Sequence, residues 1–117
     1  MIRKGFYFII TGDYDKDGKS YHKPTLEEGS YEYHGKLFIH RDSDYKNNPH
    51  KWKVSHVASG GCVVTGRTLK EAREIAKGLQ GFKLWEVESF GDLCDAIKLH
   101  HLGYQDEVER IKTIAMV

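Results

Sequence analysis

Cysteine is scarce in this 117-residue chain: only Cys62 and Cys94 occur, far apart in sequence. Two such residues build neither a disulfide-dense secreted scaffold nor a paired zinc knuckle, so reduced, mostly buried thiols are expected. Proline is equally scarce, with Pro24 and Pro49 alone, which argues against a proline-rich linker or a disordered chain. Neither sign of charge dominates: 18 Lys+Arg face 17 Asp+Glu, for a formal net charge of +1. The strongly basic footprint of a dedicated duplex-DNA binder is therefore missing. Long apolar runs are missing too, since none approaches the roughly 18 residues that span a bilayer. Near the start, the run after Arg3-Lys4 stops at Thr11-Gly12-Asp13. It is too short for a signal peptide and no small-residue cleavage pattern follows it. The expectation is a soluble, cytoplasmic protein that makes no membrane contact, without repeats or low-complexity segments.

What is present suits one small domain over residues 1–117: 39% hydrophobic, 12% aromatic and 30% charged residues, with twelve glycines to make turns. Phe6 to Thr11 is apolar, aromatic and β-branched, which predicts a buried strand. Residues 13–29 are polar and contain Pro24, which predicts a long polar loop or hairpin tip. Tyr31 to His40 reads as strand, with Gly35-Lys36 as a bulge or tight turn, and 42–49 as a turn region. Trp52–Val57 and Cys62–Thr65 flank Ala58-Ser59-Gly60-Gly61, a hairpin signal because glycine tolerates positive φ. With Gly60-Gly61 at the tip, Cys62 would pair with Ser59 and His56 with Thr65.

Thr68-Leu69-Lys70-Glu71 matches a capping box, with reciprocal bonds between Thr68 and Glu71. Leu69, Ala72, Ile75, Ala76 and Leu79 then form one apolar helical stripe, which Gly81 is placed to end in the left-handed conformation. Phe82–Val87 alternates like a strand. Ser89 and Asp92 repeat the capping pattern, and Phe90, Leu93, Cys94, Ile97 and His101 predict a second helix over about 90–102, ending at Gly103. The tail from Val108 to Val117 fits a helix or an edge strand, with its Ile/Thr/Val content favouring the strand. The fold class is thus α+β: a mainly antiparallel sheet of about five to six strands with two helices packed on one face, residues 52–80 forming a β-hairpin-helix unit.

Several groups could carry chemistry. Asp13, Asp15 and Asp17 before Gly18 match the first half of a calcium loop, where alternate carboxylates converge on the ion; the later Glu is replaced by Pro24. A solvated hairpin tip explains the same residues. Seven histidines, His22, His34, His40, His50, His56, His100 and His101, include no i, i+4 pair with the Glu of a zinc hydrolase. His56 and Cys62 suggest a thiolate and its base, but the expected register separates them, which favours Cys62 as a small core residue and leaves no catalytic set.

Arg41, Tyr45, Lys46, His50, Lys51, Trp52 and Lys53 interleave cations and aromatics, as a phosphate-and-stacking surface for nucleic acid would. Asp42 and Asp44 dilute it. Between residues 86 and 109 the balance reverses: Glu86, Glu88, Asp92, Asp95, Asp106, Glu107 and Glu109 face the single cation Lys98. Such a field is either a solvated face or a docking surface for a basic protein partner.

Residues 36–80, with Gly61-Cys62-Val63-Val64-Thr65-Gly66-Arg67-Thr68-Leu69-Lys70-Glu71-Ala72 opening a helix, resemble the HicB antitoxin domain. The likeness lies in a glycine-cysteine step, a short strand and G-x-T-L-x-E-A. Val57-Ala58-Ser59-Gly60 stands where the family carries an acidic-Leu-Pro step. The resemblance implies a partial ribonuclease-H-like sheet used as a non-catalytic binder of an RNA-cleaving toxin. Three readings follow. The first is a non-enzymatic binding or inhibitory protein, antitoxin-like or from a phage or mobile element, acting on a nuclease or other nucleic-acid-handling protein such as a toxin or CRISPR effector. It would work without a cofactor, as monomer or homodimer. The alternatives are a small nucleic-acid-binding domain using Arg41–Lys53, and a calcium-binding module using Asp13, Asp15 and Asp17.

Overall fold

Alternation of side chains, carried further along the chain than the apolar runs suggest, builds the sheet. The computed structural model describes residues 2–41 and 52–98, together with 106, 109 and 110. Strands β1 (Arg3–Tyr14), β2 (Ser20–His34), β3 (Leu37–Arg41), β4 (Trp52–His56) and β5 (Cys62–Gly66) form one five-stranded sheet. Each pairs antiparallel with the next in chain order. Helix α1 (Leu69–Leu79), a 3₁₀ turn (Lys83–Glu86) and helix α2 (residues 90–98) follow. The fold is α+β, with five strands among the described residues.

The polar stretch 13–29, expected as a loop, is mostly strand. Cross-strand chemistry explains it: the Thr11 and Thr25 hydroxyls lie 2.6 Å apart, and Lys23 Nζ sits 3.0 Å from Asp13 Oδ2. Pairs of this kind stabilise a ladder without apolar side chains. Only residues 15–19 turn. There Asp15 Oδ1 accepts from the amides of Asp17 and Lys19, and Gly18 takes φ 81°.

Leu37 and Ile39 of β3 and Trp52 and Val54 of β4 meet Ala72, Ile75, Ala76 and Leu79 of α1, with Leu84, Trp85 and Leu93 completing one apolar core. Both helices therefore cover the same sheet face. The opposite face carries Tyr7, Tyr31, Tyr33, Phe38 and His40, whose neighbouring rings stack at centroid distances such as 5.0 Å for Tyr7 and His40. Phe38 and His40 are buried there, and Ser55 Oγ lies 2.7 Å from His40 Nε2.

Thr68 caps α1 as predicted, its hydroxyl accepting from the Glu71 amide at 3.1 Å. The return bond differs, because the Glu71 carboxylate accepts from the amide of Arg67, one residue earlier. Gly81 has no positive φ; Gln80 ends the helix in a right-handed turn and donates to the Ala76 carbonyl. Phe82–Val87, expected as a strand, contains the 3₁₀ turn instead. Burial of the Trp85 ring, whose indole N–H donates to the Leu79 carbonyl, folds this segment back onto α1. Ser89 caps α2 by accepting from the Asp92 amide at 3.1 Å. The tail reading lies outside the described residues except at 109 and 110, which are helical rather than the favoured strand.

Two contacts curl the sheet. Ile10 of β1 donates its amide to the Gly60 carbonyl in the β4–β5 turn at 2.9 Å. Gly61, next in that turn, abuts α2: a Cβ added there would lie 2.6 Å from a Leu93 methyl and 2.9 Å from the Phe90 ring. Gly61→Ala should therefore lower stability by about 1–3 kcal/mol through overpacking, measured by denaturant unfolding; a neutral result would mean α2 does not seat on this turn.

An ion pair joins the sheet to α1, its Glu32 end buried and its Arg73 end exposed. Arg73 donates through Nε and Nη2 to Glu32 Oε2 at 3.0 and 2.9 Å. Burial of Glu32 opposes ionisation, yet its carboxyl is held below its ordinary 4.5, with the hydrogen bond and charge of Arg73 contributing to the lowering. A depressed carboxyl stabilises the fold above its unfolded value, and this contribution disappears as pH falls through the folded value. Glu32→Gln should cost about 2 kcal/mol near pH 7. The gap from the parent protein in thermal melts should narrow as pH falls below 4.5 and through the lowered folded value; a pH-independent gap would sink the ion-pair account.

Candidate functional site

The β4–β5 hairpin was expected to pair Cys62 with Ser59 and His56 with Thr65. The structure pairs Cys62 with Ser55 and Thr65 with Lys53, with an irregularity between Val54 and Ser55. The turn occupies residues 57–60, closed by the His56 amide on the Gly61 carbonyl and the Gly60 amide on the His56 carbonyl, so its centre lies ahead of Gly60-Gly61; the bulge then shifts the register by one further residue. Cys62 stands at the start of β5, exposed rather than in the core. Gly60, at φ 75°, makes the turn.

His56 is fully used for structure. Its Nε2 lies 2.6 Å from the Trp85 carbonyl, so that nitrogen carries the proton and donates. Its Nδ1 then accepts from the Ser59 hydroxyl at 2.8 Å, and Ser59 Oγ in turn accepts from the Gly61 amide at 3.2 Å. This relay pins the hairpin to the 3₁₀ turn and leaves no lone pair to activate a thiol. Beside it opens a cleft of about 260 Å³, lined among others by Lys36, Val57, Trp85, Glu86 and Glu88.

The carboxylates considered for calcium serve the hairpin. Asp13 pairs with Lys23 and accepts from the Tyr14 amide, and Asp15 organises the turn. The hydrogen bond from Lys23 holds the Asp13 carboxyl below its ordinary value, with the Tyr14 amide adding to it. Asp17 is exposed. Among the described residues, no three His, Cys, Asp or Glu side chains gather into a group able to hold a metal ion.

Of the basic and aromatic surface, Tyr45, Lys46, His50 and Lys51 lie outside the described residues. Trp52 is 8% exposed and belongs to the core, with the Arg41 guanidinium 5.0 Å from its ring centroid. Its indole is already packed, so it offers no open face to a base. Lys53 is half-buried. Sequence spacing shows the interleaving of cations and aromatics but not which of them the core takes.

The acidic group is presented differently. Glu86, Glu88, Asp92 and Asp95 are all exposed, the first two on and after the 3₁₀ turn and the others on α2. Asp106 and Glu109 are exposed as well, whereas Glu107 lies outside the described residues. Lys36 Nζ approaches Glu86 only to 4.0 Å, a pair that solvent weakens.

One surface escaped the sequence reading. β1 is an edge strand, and Phe6 and Phe8, expected in a buried strand, are each 62% exposed. Leu26, directly opposite Phe8, is 53% exposed. The signal was there: both faces of Phe6–Thr11 are apolar, more than one sheet face buries when its outer strand has only one neighbour.

The relay assigned to His56 predicts that His56→Phe, similar in bulk but unable to bond, loses about 2 kcal/mol because the Trp85 carbonyl and Ser59 hydroxyl are stranded. Cys62→Ser should stay within about 0.5 kcal/mol of the parent. Urea unfolding distinguishes the two, and equal losses would contradict the assignment. No helix among the described residues is long and apolar enough to cross a membrane. Comparison with known proteins finds no matching family model, no matching curated protein and no matching solved structure.

Proposed function

We propose that this chain is a non-enzymatic binding protein that blocks a basic, nucleic-acid-handling protein, in the manner of an antitoxin or of an inhibitor from a phage or mobile element. The observation that carries the reading is the exposure of Glu86, Glu88, Asp92 and Asp95 along one short stretch, where Lys36 approaches Glu86 only to 4.0 Å. Carboxylates left to solvent cost little and steer a positively charged partner into encounter. A nuclease or CRISPR effector has such a surface because it must hold phosphate.

The resemblance of residues 36–80 to the HicB antitoxin domain points the same way. Its stretch contains β3, β4, β5 and α1, and it ends before the acidic group. The alternative use of Arg41–Lys53 for nucleic acid draws less support, since Trp52 is committed to the core.

The test is capture from nuclease-treated extract of the native host, comparing the parent protein with Asp92→Lys/Asp95→Lys. A stoichiometric basic partner should bind the parent and bind the double variant at least about tenfold more weakly, with both proteins equally folded. Undiminished binding by the variant would remove this surface from the proposal.

A further inference from the structure

We infer that the partner docks an amphipathic basic segment, its apolar side lying on Phe6, Phe8 and Leu26 and its cations reaching the carboxylates of α2. The inference rests on the proposed reading of a basic protein partner and names the part of it that binds. In the β1–β2 register, Phe6 pairs with Glu28, Phe8 with Leu26, Ile10 with Pro24 and Gly12 with His22. Residues directly opposite share a sheet face, so these side chains form one strip. Three of its large apolar members are more than half exposed. Contiguous apolar surface of this kind on a small protein marks an interaction site.

The strip adjoins the acidic helix. The His22 and Phe90 rings have centroids 5.1 Å apart, which brings the strip's distal end against the first residue of α2. The Ile10–Gly60 bond and the packing of Gly61 on Leu93 and Phe90 hold the middle of β1 and the same helix to one turn. Asp92 and Asp95 are thus exposed on the element that flanks the apolar strip. Apolar floor and anionic wall together complement a segment with an apolar stripe and flanking Lys or Arg. An acidic or wholly polar segment would match neither half.

An edge-to-edge strand addition fits less well. The Ile10 amide is already taken by Gly60, and Pro24 opposite it has no N–H to donate. Recognition through side chains on the face remains.

The probe is a synthetic helical peptide of roughly 18 residues built from Leu and Lys in an amphipathic pattern. Controls are its Leu/Glu counterpart and a Leu/Lys peptide of identical composition with the pattern scrambled. Titration into the full chain, followed by amide NMR and calorimetry, should show binding of the basic amphipathic peptide alone, with shifts at residues 6, 8, 26, 92 and 95. Phe8→Ser/Leu26→Ser should weaken it more than about tenfold, and Asp92→Lys/Asp95→Lys comparably. Because Phe8 and Leu26 are exposed, these variants should keep the parent's circular dichroism; Phe6→Ser is the second variant should they not.

Equal binding of the acidic or scrambled peptide, or none of the basic one, overturns the inference. So does a concentration-dependent dimer abolished by Phe8→Ser/Leu26→Ser, which would assign the strip to a second copy of this chain. A captured native partner that is sensitive to Asp92→Lys/Asp95→Lys but indifferent to Phe8→Ser/Leu26→Ser would overturn this inference and leave the proposed function standing.

Discussion

The close approach at Gly60-Gly61 is the constraint on which the rest of the molecule depends. A sheet built as a simple meander has its first and last strands at opposite edges, and nothing in the pairing order brings them together. Here the β4–β5 turn touches both β1, through the Ile10 amide, and α2, through Leu93 and Phe90. Side chains at the turn would hold these elements apart. A Cβ on Gly60 would stand 3.1 Å from the Ile9 backbone, and one on Gly61 would overlap Leu93. Backbone atoms cannot swing aside as a long side chain can, so the absence of side chains there sets how tightly the sheet curls.

Three polar groups buried nearby, His56, Glu32 and His40, have partners, which makes the curl specific. His56 has a donor's and an acceptor's partner, Glu32 has Arg73, and His40 has Ser55. A sheet rolled by another residue would leave the Trp85 carbonyl or the Glu32 carboxylate in a dry interior without its bond. Stranding a buried polar group costs about 1–3 kcal/mol, more for a charge, a large share of the stability of a domain this size. The apolar core supplies most of the driving force, and these bonds select one arrangement from those that bury similar area.

Local chemistry made the helices and the second hairpin legible in the sequence. Thr68 and Ser89 act as caps because their hydroxyls satisfy amides within three residues, and the stripe through Ala72, Ile75, Ala76 and Leu79 needs no information beyond the helical period. The five-stranded α+β fold followed from those elements and the number of β-rich runs. What failed depends on distant contacts. Residues 20–29 look like loop until their partners in β1 are known, since the register brings Lys23 to Asp13 and Thr25 to Thr11. Phe82–Val87 alternates, but Trp85 has a pocket against α1 that only a turn can reach. Among site residues, the exposure of Glu86, Glu88, Asp92 and Asp95 was anticipated from charge. The fate of Trp52 and Cys62 was not, because a core position and the centre of a turn that sits ahead of its glycines leave no mark in spacing.

The same curl explains why an edge strand this apolar is not simply a liability. An exposed, long, apolar edge invites pairing with other chains through its unsatisfied backbone groups. β1 is protected in its middle, where Gly60 occupies the Ile10 amide, and its partner strand carries Pro24 at the matching position. Backbone pairing is thereby discouraged while the Phe6, Phe8 and Leu26 side chains stay open. A surface selected only for solubility would carry polar residues at those three positions, as β2 does at His22, Glu28 and Ser30. Blocking the backbone while the apolar side chains stay open limits edge-to-edge pairing without covering the strip, which lies beside the helix that carries the exposed Asp92 and Asp95.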